Sequence, residues 1–179
     1  VQLLRKKGYD FLAPEIVATT GWTCEELATA FTLLPQESRY DFISLLVGVN
    51  NQYRGMPVTE YTVAFEDLLQ AALSRIQGEP RQLIVLSIPD YAYTPFGQQR
   101  DASGISEEID LFNQFNAQIA RKYQTGYLNI TTLTRTWSQA PGSVVEDQLH
   151  PSALIYEQWS YLLAEKIAAC LKREDKAAK

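Results

Sequence analysis

At 179 residues and a formal net charge of −5, the chain is long enough for one well-cored domain and short for two. Its hydrophobic fraction of 46% and charged fraction of 21% are those of an ordinary globular protein, and the acidic balance argues against a general nucleic-acid or anionic-membrane surface. Two cysteines, Cys24 and Cys170, are too few for a disulfide scaffold, they form no C-x-x-C pair, and no apolar run approaches the roughly 18 residues of a membrane span.

The chain opens on the pattern of a helix end: Val1 and Leu4 at helical spacing, then Arg5, Lys6 and Lys7, then Gly8 just past the last turn. The three cations complement the negative helix terminus. A domain rarely begins with the end of a helix, so a strand, loop or processed segment is expected ahead of Val1. The compartment, cytoplasmic or secreted, stays unassigned.

Residues 14–19 have strand character and lead to Gly21. Thr23 and Glu26 then form a capping box for a helix with Leu27, Ala30, Phe31 and Leu34 on one face, stopped by Pro35. Residues 41–49 form a near-continuous apolar run, the mark of a strand buried on both faces, emptying into the polar loop Gly48, Val49, Asn50, Asn51. Tyr61, Phe65, Leu68, Leu69, Ala72 and Ile76 recur at helical spacing before Gly78. Residues 82–88 give a third strand and residues 89–104 a long polar loop with Tyr91, Tyr93 and Phe96. Ser106 is the expected start of the next helix, with acids in its first turn and Ile109, Phe112, Ile119 and Ala120 on its face. A short strand at 127–130 and a loop at 131–150 lead to a last helix burying Leu154, Trp159, Leu162, Leu163, Ile167 and Cys170. Residues 172–179 are expected to fray. Both cysteines fall on apolar helix faces and are expected as small buried hydrophobes, with no bridge assigned.

Four strands alternating with helices predict an α/β fold with a parallel sheet, one domain over residues 1–179, and ligands beyond the carboxyl ends of the strands. Gly21, Asn50, and the pair Asp147 and His150 would meet there. Each has a bland alternative: a turn glycine, an Asx turn, a helix cap, a satisfied polar residue. Together they suit acyl transfer. His150, the chain's only histidine, is the side chain fitted to move protons near neutral pH, and Asp147 can fix its tautomer. The Gly21 N–H and the Asn50 side-chain amide can bind a developing oxyanion. Asn51, Tyr53 and Tyr91 are weaker substrate-binding candidates. No metal or organic cofactor is implied.

The order and spacing of these residues resemble the conserved blocks of the SGNH hydrolases, also called GDSL esterases and lipases. Gly21 is similar to the block-two glycine, Gly48-x-Asn50 to block three, and Asp147-x-x-His150-Pro151 to block five. The resemblance implies a flavodoxin-like three-layer α/β/α sandwich, with His150 as base, Asp147 as its orienter, and Gly21 with Asn50 as oxyanion donors. It also implies an acyl-enzyme route for hydrolysis of a small-molecule carboxylic ester. Two departures stand out. Block three usually continues with Asp, and position 51 is Asn. Block one, Gly-Asp-Ser, has no counterpart; Ser44, Ser87 and Ser152 lack the expected nucleophile turn. The family's first strand, which carries the serine, is therefore expected upstream of residue 1, with strand exchange or a homodimer as ways to fill its place. The chain alone would then be nearly inactive. A non-catalytic binding domain of the same fold, or an inactive fragment, is the alternative. A nucleotide-binding domain ranks lower, for want of a Gly-rich phosphate loop.

Overall fold

A computed structural model of the chain describes residues 1–137 and 140–177, with side chains to residue 172. Its centre is β2 (Leu83–Leu86), whose four residues are all buried. Leu83 and Val85 enter one core while Ile84 and Leu86 enter another, as successive side chains of a central strand must. β1 (Ile43–Leu45) and β3 (Gly126–Leu128) flank β2 in parallel, with Ile43 opposite Leu83 and Ile84 opposite Gly126.

Helices cover both faces. On one face α2 (Cys24–Thr32), α4 (Val58–Leu73) and α5 (Ala102–Lys122) surround Phe65, Leu69, Ile109 and Phe112. On the other, Leu4 of α1 (Gln2–Lys6) and Ile155, Trp159 and Ile167 of α7 (Ala153–Ala177) close the second core. This is the expected three-layer α/β/α sandwich on a parallel sheet. Tyr61, Phe65, Leu68 and Leu69 of α4 are nearly inaccessible, and burial of each large apolar side chain contributes about 1.5–3 kcal/mol. Both cysteines are buried free thiols, and burial pushes the Cys24 thiol far up.

Local signals set the element ends. α2 begins on the expected capping box: Glu26 N–H donates to Thr23 Oγ1 at 3.4 Å, and Thr23 N–H donates to Glu26 Oε2 at 2.7 Å. α1 ends in a Schellman turn, with Tyr9 N–H donating to Leu4 O and Gly8 at φ 88°. Gly48, at φ 116°, lies against Tyr61; a Cβ there would sit 2.5 Å from the Tyr61 hydroxyl oxygen.

Several expectations need correction. The residues expected as a first strand, 14–19, form no strand, and Ile16 is 79% exposed. A strand exists only through a neighbour's hydrogen bonds, and this segment has none beside it. Among the described residues the sheet consequently has three strands where four were expected. β1 is buried on one face only: Ser44 is exposed, and Leu46, just past its end, is 39% exposed. The loop at 48–51 contains α3 (Val49–Tyr53), and the loop at 131–150 contains α6 (Thr131–Trp137). α5 starts from Asp101, whose carboxylate accepts from Gly104 N–H at 3.0 Å, five residues before the expected Ser106. α7 runs to Ala177, and residues 178–179 of the tail lie outside the described residues.

Candidate active site

A cavity of about 730 Å³ opens where β1 and β2 end, lined from those strands by Val47, Gly48, Ile88 and Pro89. Gly21, Asn50, Tyr53, Tyr91 and His150 also line it. Residues some 130 positions apart in sequence thus share one rim, as parallel topology requires.

His150 sits on a short hairpin. Val144 bridges Pro151, Val145 N–H donates to His150 O at 2.9 Å, and Ser152 N–H donates to Ser143 O at 2.8 Å. The turn between them is tight, with Gln148 in the left-handed region at φ 60°. Asp147 organises it. Its Oδ1 accepts from the N–H groups of Leu149 and His150, both at 2.9 Å, and its Oδ2 faces His150 Nδ1 at 2.6 Å. The backbone donors of His150 and Leu149, then the imidazole, hold the Asp147 carboxyl down to about 2. A carboxylate so held favours a proton on Nδ1 and leaves Nε2 as the basic nitrogen. Among the described residues no hydroxyl is hydrogen-bonded to Nε2.

Gly21 and Asn50 meet at the same cavity. Trp22 N–H donates to Thr19 O at 3.3 Å, closing a turn in which Gly21 takes φ 89°, a conformation suited to glycine. The Gly21 N–H makes no hydrogen bond among the described residues. One hydrogen of the Asn50 amide goes to Trp22 O at 2.9 Å. Its second hydrogen remains for another acceptor.

Asn51 is not a substrate contact. It is fully buried and spends its polar atoms inside the chain. Its Oδ1 accepts from Cys24 N–H at 3.0 Å, while Nδ2 donates to Glu25 Oε2 at 3.0 Å and contacts Met56 Sδ at 3.2 Å. Tyr53 and Tyr91 do reach the cavity and stack edge-on at 6.0 Å, with Phe96 at 6.5 Å from Tyr53. Phe96 N–H donates to Gln148 O at 3.1 Å, so this aromatic wall is bonded directly to the His150 turn.

The serines also resolve. Ser87 is 1% exposed and structural: its Oγ accepts from the N–H groups of Ile130 at 2.8 Å and Thr131 at 3.0 Å. Ser44 is exposed within β1. The Ser152 Oγ is buried without a partner among the described residues and caps nothing. Sequence reasoning missed Trp159, which lines the cavity with a buried Nε1 that has no partner among the described residues. Arg54 binds Gly21 O, a pairing that sequence reasoning did not show. Trp159 was legible only as core; Arg54 was visible as a neighbour of Asn50 but not as a partner of Gly21. No cluster of three or more metal-ligating side chains occurs among the described residues, and no helix among them is long and apolar enough to cross a membrane.

The fold recurs in solved esterases. The acetylxylan esterase of Geobacillus stearothermophilus is similar at TM-score 0.64 and 17% identity, over 82% of this chain and 68% of that one. A lipase/acylhydrolase from Enterococcus faecalis is similar at TM-score 0.62 and 17% identity, over 82% of this chain and 71% of that one. An alpha/beta hydrolase from the metagenome of Lake Arreo, Spain, reaches TM-score 0.60 at 15% identity, over 83% and 67% of the two chains. No curated protein sequence matches. The model of the GDSL-like lipase/acylhydrolase family matches residues 2–158, a span that contains both cores, the Gly21 and Asn50 rim and the Asp147–His150 turn, and the chain belongs to that family of ester hydrolases.

Proposed function

We propose that this chain forms the body of a serine esterase that works through an acyl-enzyme, with its nucleophile carried on a strand that docks against the free edge of β1. The observation that carries the reading is the 2.6 Å Asp147–His150 contact, at a cavity that Gly21 and Asn50 also line. A binding module has no need of an oriented imidazole.

The serine hydroxyl attacks the ester carbonyl while His150 Nε2 accepts its proton. The carbonyl oxygen becomes an oxyanion, held by the Gly21 N–H and the free amide hydrogen of Asn50. Collapse breaks the ester C–O bond, and His150 returns the proton to the departing alcohol. A water then repeats the sequence on the acyl-serine, releasing the acid and restoring the serine. Tyr53, Tyr91 and Phe96 wall the leaving-group side. The acetylxylan ester named for one structural neighbour makes an acetylated sugar the first substrate to try.

Two further observations support a docked strand. The outer edge of β1 has no ladder partner among the described residues, although its sequence is that of an interior strand. The cavity wall also holds the unpartnered Trp159 Nε1, and a buried donor without an acceptor is costly. A segment other than the described residues, or a second copy by exchange, supplies that strand. Hydrolysis of p-nitrophenyl acetate by the strand-bearing protein tests the reading, with abolition by His150→Ala expected. Full activity in that variant contradicts it. The alternative, a non-catalytic binding domain, is favoured by the absence of a hydroxyl on His150 Nε2 among the described residues; a strand-bearing protein that binds esters without turnover would select it.

A further inference from the structure

Arg54 ends α3 one turn beyond Asn50, and its guanidinium reaches back across the rim. Nη2 donates to the Gly21 carbonyl at 2.6 Å, and Nη1 meets Glu26 Oε2 at 3.3 Å. Glu26 Oε2 is itself fixed by the Thr23 N–H at 2.7 Å. We infer that Arg54 is a positioning residue for the oxyanion donor at Gly21, an inference that rests on the hydrolase reading above.

Gly21 sits in the left-handed region, and glycine there can rotate at little steric cost. The Thr19–Trp22 turn is closed by one long bond of 3.3 Å. Two carbonyls follow that turn, and each is gripped from α3: Gly21 O by Arg54, and Trp22 O by Asn50 at 2.9 Å. The Gly21–Trp22 peptide that Arg54 holds is the one whose N–H closes the turn on Thr19 O, so the clamp keeps shut the turn that encloses the Thr20–Gly21 peptide and, with it, the Gly21 N–H. The same α3 turn carries the second donor, Asn50, so Arg54 fixes the two donors relative to each other. Its planar fork suits two acceptors at once, where an ammonium supplies a point charge.

Stability is not the function of this contact. The Arg54 and Glu26 side chains are 52% and 44% exposed, and exposed pairs contribute little to folding. Loss of the clamp should therefore show in direction-dependent chemistry and leave the melting temperature nearly unchanged.

The test compares Arg54→Ala and Arg54→Lys with the parent in the strand-bearing protein. Amide hydrogen exchange at Trp22 should accelerate about tenfold or more in Arg54→Ala while Val85 in β2 is unaffected. With p-nitrophenyl acetate, kcat should fall roughly tenfold to a hundredfold at nearly constant KM, with partial recovery in Arg54→Lys. Unchanged exchange at Trp22, or unchanged kcat in an active parent, overturns the inference. An inactive parent would sink the hydrolase reading instead, and the exchange data alone would still decide whether Arg54 holds the Gly21 loop.

Discussion

An amide and a carboxylate differ by one donating group, and at position 51 that difference decides the fit. Asn51 Nδ2 donates to the Glu25 carboxylate, and its Oδ1 accepts the Cys24 N–H at the start of α2. Asp at 51 would keep the second bond and set a fully buried carboxylate against that of the exposed Glu25. Asn51→Asp should cost about 1–3 kcal/mol at neutral pH by denaturant unfolding, and adding Glu25→Gln should recover most of it. This pairing was not legible in sequence, because Glu25 lies on another element and meets Asn51 only in three dimensions. The Asp147–His150 pair was legible for the opposite reason: both residues sit within one turn, where spacing alone brings them into contact. For Asp147 the direction of linkage is explicit. Its folded-state carboxyl is lowered from 3.8 to about 2, so its contribution to stability is present above about pH 4 and is lost as pH falls through about 2. Carbon NMR of the Asp147 carboxyl should place its titration at the lower value. Asp147→Asn should reduce esterase kcat on the order of a thousandfold or more in the strand-bearing protein, since the imidazole loses its preferred tautomer.

At the scale of elements, a buried ion pair holds the cavity wall. Asp90 follows β2 and is fully buried; its carboxylate accepts from Ala92 N–H at 3.0 Å, Ser106 Oγ at 2.6 Å and Arg135 Nε at 2.9 Å. One side chain thereby ties the Tyr91 turn, α5 and α6 together. Arg135→Ala strands a buried carboxylate and should destabilise by about 3–5 kcal/mol in thermal or denaturant unfolding; a change under 1 kcal/mol would show the pair is dispensable. The same network explains where sequence reasoning misplaced α5. Ser106 has the chemistry of a cap, but its hydroxyl is taken by Asp90, and Asp101 caps the helix instead. α6 escaped notice because its Thr131, Thr132, Thr134 and Thr136 are poor helix formers. It is held by tertiary bonds from Ser87 and by Asn129 Oδ1, which accepts from Thr132 N–H at 3.3 Å. α2 and α4 were legible because a capping box and a 3.6-residue apolar period are local signals. The 14–19 strand failed because a strand depends on a neighbour that local sequence does not contain.

At the scale of the whole molecule, the sheet is asymmetric. β2 is enclosed on both faces and both edges, whereas β1 has an edge with no ladder partner among the described residues, the exposed Ser44, and just past it the exposed Leu46 on the cavity wall. A central-type strand left at an edge invites pairing. The central claim is that the Asp147–His150 and Gly21–Asn50 rims form a serine-hydrolase site completed by a strand bearing the nucleophile. Its most direct test is fluorophosphonate labelling of Val1–Lys179 beside the same chain extended by that strand. The account predicts labelling of the extended protein, its loss in His150→Ala, and no labelling of Val1–Lys179; equal labelling of Val1–Lys179 would contradict it.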